Sequence, residues 1–175
     1  ILPQDFLLCK CFLQKIRFFC SKAKKTPEQI SYNMSRVKNK DSAIEVALRK
    51  ELWSRGLRYR KNVKTVFGKP DIVFVGKKVA VFCDSEFFHG KDWDKLKVRL
   101  ERGKNPQYWI RHIEENMERD RRVDRELALL DWTVIRFWSN DIKKDLQGCL
   151  RFIEETVFEK MVINTYDREP EGDDY

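Results

Sequence analysis

Apolar residues in this chain recur with two different periods. Between Asp71 and Cys83 they run almost continuously in two short blocks, IVFV and VAVFC, separated by Gly76-Lys77-Lys78. Blocks of this length, bounded by turn residues, predict strands over Asp71–Val75 and Val79–Cys83 joined as a hairpin. A helical period appears on both sides of them. Ile44, Leu48 and Leu52 fall four apart and predict a helix over Asp41–Arg55. Ser42 and Glu45 have capping-box spacing at its start, and Gly56 suits its C-terminal cap. Ile113, Met117, Val123, Leu127 and Leu130 form the apolar side of a longer helix, Gln107–Leu130. Thr133–Trp138 is β-branched and aromatic and predicts a strand. Ile142, Leu146, Cys149, Ile153 and Val157 predict a last helix, Asp141–Phe158, capped by Asn140. Moderate alternation over Leu57–Val63 predicts one more strand. Lys91–Asn105 reads as a charged connector anchored by Trp93 and Leu96. The order is helix, strand, hairpin, helix, strand, helix, an α/β domain with a mixed sheet flanked by helices.

Composition adds a partner to this outline. The chain has 175 residues, 42% of them hydrophobic, enough for one domain with a real core. Its formal net charge is +8. The basic surplus of residues 1–30 is cancelled by the acidic residues 167–175, so the whole excess belongs to the folded middle. A basic folded domain favours a polyanionic partner. The five cysteines form no CxxC pair, and nothing reads as a disulfide framework or a zinc site, which is the pattern of a reducing cytoplasm. No apolar run reaches the roughly 18–20 residues that span a bilayer, so no membrane partner is expected. Residues 1–33 read as an N-terminal extension of uncertain status, with Met34 a plausible natural start. Residues 34–160 read as the domain. Residues 161–175 read as an acidic tail, expected to be disordered, with its acids concentrated from Asp167 onward.

Candidate chemistry gathers around the hairpin. Asp71 opens its first strand and Asp84 follows its second, with Glu86 and His89 close behind. Carboxylates on rigid strand ends suit a hard divalent cation, and an imidazole beside them suits proton transfer. Glu45 lies in the first turn of the first helix. Asp120 falls on the apolar stripe of the long helix, where a carboxylate is uncommon unless paired or functional. Plainer roles exist for each group: a turn at Pro70-Asp71, strand capping by Asp84 and Glu86, a capping-box partner in Glu45, an arginine partner for Asp120, a structural His89. Taken together, Asp71, Asp84, His89, Asp120 and Glu45 supply what metal-assisted phosphodiester hydrolysis needs. The PD followed by an acid one strand later is similar to the PD-(D/E)xK nuclease core, although position 86, where that motif has Lys, is Glu.

Five segments carry a more specific resemblance: NMSRVKNKDSAIEVALRKELWSRGLRYR, GKPDIVF, VAVFCDSEFFHG, YWIRHIEENMERDRRV and LLDWTVIRFW. In this order they resemble the very-short-patch-repair (Vsr-type) DNA endonucleases, from about Asn33 to Lys160. The resemblance implies a restriction-endonuclease-like α/β core. It implies that Asp71 is a metal ligand, that His89 handles a proton near the scissile phosphate, and that Glu45 and Asp120 hold water or orient His89. It implies a metal contact through the Cys83 backbone, and that Phe87, Phe88 and Trp109 wedge into the duplex beside a mismatch. The best-known branch of the family has Thr-His where this chain has Cys83-Asp84, so Asp84 is expected to offer a direct metal carboxylate. That branch also holds a structural zinc through Cys and His, whereas the corresponding positions here include Glu86 and Asn140, so no structural zinc is expected.

The expected function is a Mg²⁺-dependent endonuclease nicking one strand of double-stranded DNA at or near a T:G mismatch, in the bacterial cytoplasm. Lys38, Lys40, Arg119 and Arg122 are expected phosphate contacts. A cytosine methyltransferase and mismatch-repair proteins are the functional associates the resemblance implies. The alternatives are a nuclease of the same core with a restriction, nicking or homing target, a non-catalytic DNA-binding module, and a basic structural or ribosome-associated protein.

Overall fold

The computed structural model describes residues 42–166, with side chains through Ile163, together with Thr26 and Gln29. The chain divides into two units, Ile1–Lys38 and Asn39–Tyr175. In the first, the backbone N–H of Thr26 donates to the Gln29 side chain and that of Gln29 to the Thr26 hydroxyl. Most of the N-terminal extension, Lys38, Lys40 and residues 167–175 lie outside the described residues.

The second unit begins with helix α1, Ala43–Ser54. Ser42 caps it: its hydroxyl accepts the Glu45 N–H at 3.3 Å while the Glu45 carboxylate accepts the Ser42 N–H at 3.3 Å. This reciprocal box satisfies two otherwise orphaned donors and fixes Glu45 at the helix start. Strand β1, Ile72–Phe74, and strand β2, Val79–Asp84, pair antiparallel with Ile72 opposite Val81 and Phe74 opposite Val79. The connection is one 3-10 turn, Val75–Lys77, ending on Lys78 in the left-handed region at φ 50°. Strand β3, Thr133–Trp138, runs parallel to β2 and places Phe82 beside Arg136 and Asp84 beside Trp138. The result is a three-stranded mixed sheet in the order β1-β2-β3 with helices on both faces, the expected α/β core.

The period-2 alternation of β2 sorts its side chains between two cores. Val79 and Val81 face α1, together with Leu48, Leu52, Ile72 and Ile153. Ala80 and Phe82 face the long helix α3, Pro106–Leu129, which follows the short helix α2, Trp93–Glu101, and there Val123 and Leu127 meet them. Asp84 has the parity of Phe82, so the sheet delivers it to the α3 side. Gly68 fixes how closely the chain before β1 approaches that helix. Its φ is +79°, and a Cβ there would collide with the Val123 side chain.

Four expectations need correction. Leu57–Val63 forms no strand but a single bridge, Arg60 to Val73. Asn62 at φ 51° turns the chain away before a ladder develops. The charged connector contains a helix, α2, Trp93–Glu101, whose buried Leu96 and Leu100 pack on Ile113. The last helix is two, α4 (Ser139–Lys144) and α5 (Leu146–Tyr166). Asp145 breaks them at φ −142°, and its carboxylate accepts the Gly148 N–H at 2.8 Å. Asn140 therefore sits inside α4 rather than capping a helix. Residues 161–166, expected in the tail, continue α5.

Leu48 is fully buried and Leu129 is 79% exposed. Chemical denaturation should show Leu48→Ala lowering the unfolding free energy by ~2–5 kcal/mol, since it opens a cavity between α1 and the sheet. Leu129→Ala should stay within ~0.5 kcal/mol of the parent. Equal losses in the two would contradict this assignment of the core.

Candidate active site

The C-terminal end of β2 opens into a cleft of about 510 Å³. Asp71, Asp84, His89, Asp120 and Glu45 all line it, although they come from a strand approach, a strand end, a loop and two helices. Pro70 is fully buried and sets the entry into β1. Beyond β2, His89 N–H bonds back to the Ser85 carbonyl at 3.2 Å, and the loop closes through Gly90, whose φ is +70°. A Cβ at Gly90 would press on the Met117 sulfur 2.5 Å away, so glycine lets this loop lie against α3.

His89 is held by its Nδ1 atom. It lies 2.6 Å from Asp120 Oδ2 and 3.6 Å from Asp84 Oδ1. Burial disfavours the imidazolium, but the bond to Asp120 and the charges of Asp84 and Asp120 outweigh it and raise the pKa of His89. Asp120 shows the converse: burial opposes its charge, yet His89 and then Arg136 hold its pKa below the usual value. With Nδ1–H donated to Asp120, the other ring nitrogen, Nε2, carries the lone pair available for a proton.

Arg136 locks both carboxylates in place. Its Nη1 donates to Asp84 Oδ2 at 2.8 Å, its Nε donates to Asp124 Oδ1 at 2.9 Å, and its Nη2 lies 3.8 Å from Asp120 Oδ1. The guanidinium also covers the Phe82 ring at 4.3 Å, its neighbour in the β2–β3 register. Asp84 is only 6% exposed, a burial its charge tolerates because of this partner.

Asp71 is different. Its Oδ2 accepts the Cys83 N–H at 2.8 Å, which ties the two strands of the hairpin together above their turn. Burial pushes its pKa up to about 6, against that hydrogen bond, and the charges of Glu45 and Asp84 add to the rise. Glu45 is itself buried beside Arg49, 3.9 Å away. The Cys83 thiol is pushed well up by burial and by Asp71, Glu45 and Asp84, so it stays neutral. No group of three or more His, Cys, Asp or Glu is drawn together tightly enough among the described residues to hold a metal by itself. The donor set nevertheless fits one hard divalent cation of the Mg²⁺ kind. Such an ion takes one or two carboxylates and completes its shell with water and phosphate oxygens. A carboxylate raised by burial and like charge is the one a cation stabilises most.

At the mouth, exposed Arg119 and Arg122 are joined by exposed Lys69, within the GKPD segment, and by exposed Lys64 before it. Phe87, Phe88 and Trp109 form an edge-to-face cluster, with Phe87 5.2 Å from Phe88 and 5.3 Å from Trp109. The cleft brings together Asp71, Asp84, Cys83, His89, Glu45, Asp120, Arg119 and Arg122. Phe87, Phe88 and Trp109 are not among its lining: Phe87 and Trp109 pack on Leu96, Leu100 and Ile113. Lys38 and Lys40 lie outside the described residues. Sequence reasoning missed Arg136, Arg49, Lys64 and Lys69. The signal for Arg136 was a lone cation in the middle of an otherwise apolar strand.

A cleft of carboxylates and histidine inside a basic rim, on an α/β core, suits cleavage of a phosphodiester in a polyanion, and the comparisons give the class, a DNA endonuclease. A family model described as DNA mismatch endonuclease Vsr matches residues 22–95. The type II nicking enzyme V.NmeDIP of Neisseria meningitidis serogroup C is 43% identical over 141 residues, 81% of this chain and 94% of that one. The type II nicking enzyme V.HpaIIP of Haemophilus parainfluenzae is 42% identical over 140 residues, 79% of this chain and 98% of that one. The DNA mismatch endonuclease Vsr of Escherichia coli strain K12 is 30% identical over 131 residues, covering 75% and 80%. The chain belongs to the Vsr DNA mismatch endonuclease family and is a DNA endonuclease.

The His89–Asp120 pair sets a pH signature. The folded imidazole holds its proton more tightly than the unfolded one. Its contribution to stability is therefore complete below about pH 6.5 and is lost as pH rises through the raised folded value. Asp120, depressed, contributes above the ordinary carboxylate range and loses its share as pH falls through its folded value. With only two histidines in the chain, NMR titration of metal-free protein resolves His89. Asp120→Asn should move its titration to lower pH; an unchanged midpoint would contradict the pairing.

Proposed function

We propose that this chain nicks one strand of double-stranded DNA in a Mg²⁺-dependent reaction, at or beside a T:G mismatch. The observation that carries this reading is the meeting, in one cleft, of Asp71 and His89. Asp71 is a half-buried carboxylate whose charge is disfavoured by burial and by neighbouring Glu45 and Asp84. His89 is an imidazole tied through Nδ1 to Asp120. When bound, the cation supplies charge neutralisation at the phosphate oxygens. Asp71 would hold it, with the Cys83 carbonyl beside it and Glu45 placed to order water. Asp84 borders the same space, but its bond to Arg136 turns one oxygen away, leaving the other for His89 or the cation. His89 Nε2 accepts a proton from the water that attacks phosphorus, and Asp120 stabilises the resulting imidazolium. The P–O bond to the leaving strand end breaks opposite the attacking oxygen.

The mismatch is read by deformation. Phe87 and Phe88, on the loop that carries His89, form a half-buried cluster with Trp109, and inserting such rings at a base step costs a few kcal/mol, least where pairing is already weak. A T:G pair left by deamination of 5-methylcytosine meets that condition, and it links the enzyme to a cytosine methyltransferase and to mismatch-repair proteins in the bacterial cytoplasm. A second reading, nicking in another sequence context, is favoured by the relatives whose names describe type II nicking enzymes.

A nicking assay compares a T:G duplex with its fully paired twin in Mg²⁺. Cutting of the mismatched duplex alone is expected, and equal cutting of both would remove the mismatch reading. His89→Ala should lower the rate by ~10²–10³-fold or more, the scale of losing a group that acts in the transition state.

Asp71→Asn should separate stability from activity. Its buried charge is unfavourable without a cation, so the metal-free variant should unfold at the same temperature as the parent or higher at pH 7.5, while nicking is lost. Mg²⁺ should raise the parent's melting temperature and leave that of Asp71→Asn unchanged. A destabilised variant that still responds to Mg²⁺ would contradict the metal assignment.

A further inference from the structure

The loop that presents His89 to the cleft has a second side. Phe87 and Lys91, from the same loop, help wall a separate groove of about 430 Å³. Its other walls are Lys95 and Arg99 on α2 and Lys144 at the end of α4. Lys95 and Arg99 are four apart, so they share one helix face, and both are exposed, as is Lys144. Nearby cations are already neutralised: Lys91 by Asp141 at 2.9 Å and Lys97 by Glu114 at 3.2 Å. Among the described residues, Lys95, Arg99 and Lys144 have no ion-pair partner. Two carboxylates also line the groove, Glu86, which accepts the Asn140 N–H at 2.5 Å, and exposed Asp92, and neither forms an ion pair with these three cations. Three unpaired cations around a groove beside an aromatic ledge favour a linear polyanion rather than a small apolar ligand.

The geometry points to this groove as a second DNA-backbone site, in which Lys95, Arg99 and Lys144 take phosphates across the aromatic ledge from the catalytic cleft. The inference rests on DNA as the substrate. The cleft rim at Arg119 and Arg122 grips the strand being cut. The groove grips backbone beyond Phe87, so a duplex opened at the aromatic cluster is held on both sides of the opening. Two-sided anchoring keeps the deformed step in register with His89 and recovers part of the cost of deforming it. These three residues touch no part of the proposed catalytic set, so they act on binding rather than on the chemical step.

The test uses the full chain and a mismatched duplex long enough to cover both sides. Binding is measured against salt concentration, and single-turnover nicking at saturating protein, for Lys95→Gln/Arg99→Gln. Lys77→Gln/Lys78→Gln, at the hairpin turn away from the C-terminal end of β2, removes the same charge as a control. The groove variant should bind at least about tenfold more weakly near physiological salt, with a log–log salt slope shallower by about 2, one unit per lost phosphate contact. Its nicking rate at saturation should equal the parent's. An unchanged affinity and slope, or an equal loss in the control, would overturn the assignment. A parent that binds DNA but nicks no duplex would sink the nicking reading instead, and the groove would still be decided by the binding arm.

Discussion

The site depends on one guanidinium. Arg136 enters the α3 face of the sheet from the middle of β3, lies over Phe82 and bonds Asp84 and Asp124. Its charge also lies near Asp120. Without it, the carboxylates of Asp84 and Asp120 would repel each other with only the His89 proton between them to compensate. With it, Asp84 and Asp120 stand on either side of His89 Nδ1, and only Nε2 is left for chemistry. The parallel register of β2 with β3 is what makes this possible, because it sets Arg136 directly beside Phe82 and one strand position from Cys83.

That arrangement divides the acids into two kinds. Asp84 and Asp120 have cationic partners within the protein. Asp71 shares the cleft but receives a single backbone N–H, and burial with neighbouring charge raises it to about 6. The protein thus leaves one carboxylate unfavourably placed at the point where a cation and a phosphate would meet. In the proposed reaction a bound cation would relieve that cost. In the proposed reading the basic rim would draw the DNA backbone in, and the aromatic rings would test whether the base step yields.

Much of this was legible in the residue pattern. The hairpin, α1 with its capping box, and the long helix follow from apolar spacing, and Asp120 stood out as a carboxylate on a buried stripe. The rest was hidden for physical reasons. α2 is mostly charged, and only its packing of Leu96 and Leu100 on Ile113 shows why it folds. The break at Asp145 leaves the apolar period of the last helices almost uninterrupted, so spacing alone runs straight through it. Arg136 is one residue in a six-residue strand, and its importance depends on a pairing between segments about 50 residues apart in sequence. Local patterns report faces. They do not report which face meets which.

The most direct test of this account is Arg136→Lys, which keeps the charge and removes the fork that bonds two carboxylates at once. Single-turnover nicking and DNA affinity would be measured on the same mismatched duplex across a range of pH. The account predicts a rate at least about tenfold lower, a shifted pH profile and an unchanged affinity, because His89 loses its fixed partners while the DNA contacts stay. A parental rate and pH profile would contradict the claim that Arg136 holds the catalytic geometry.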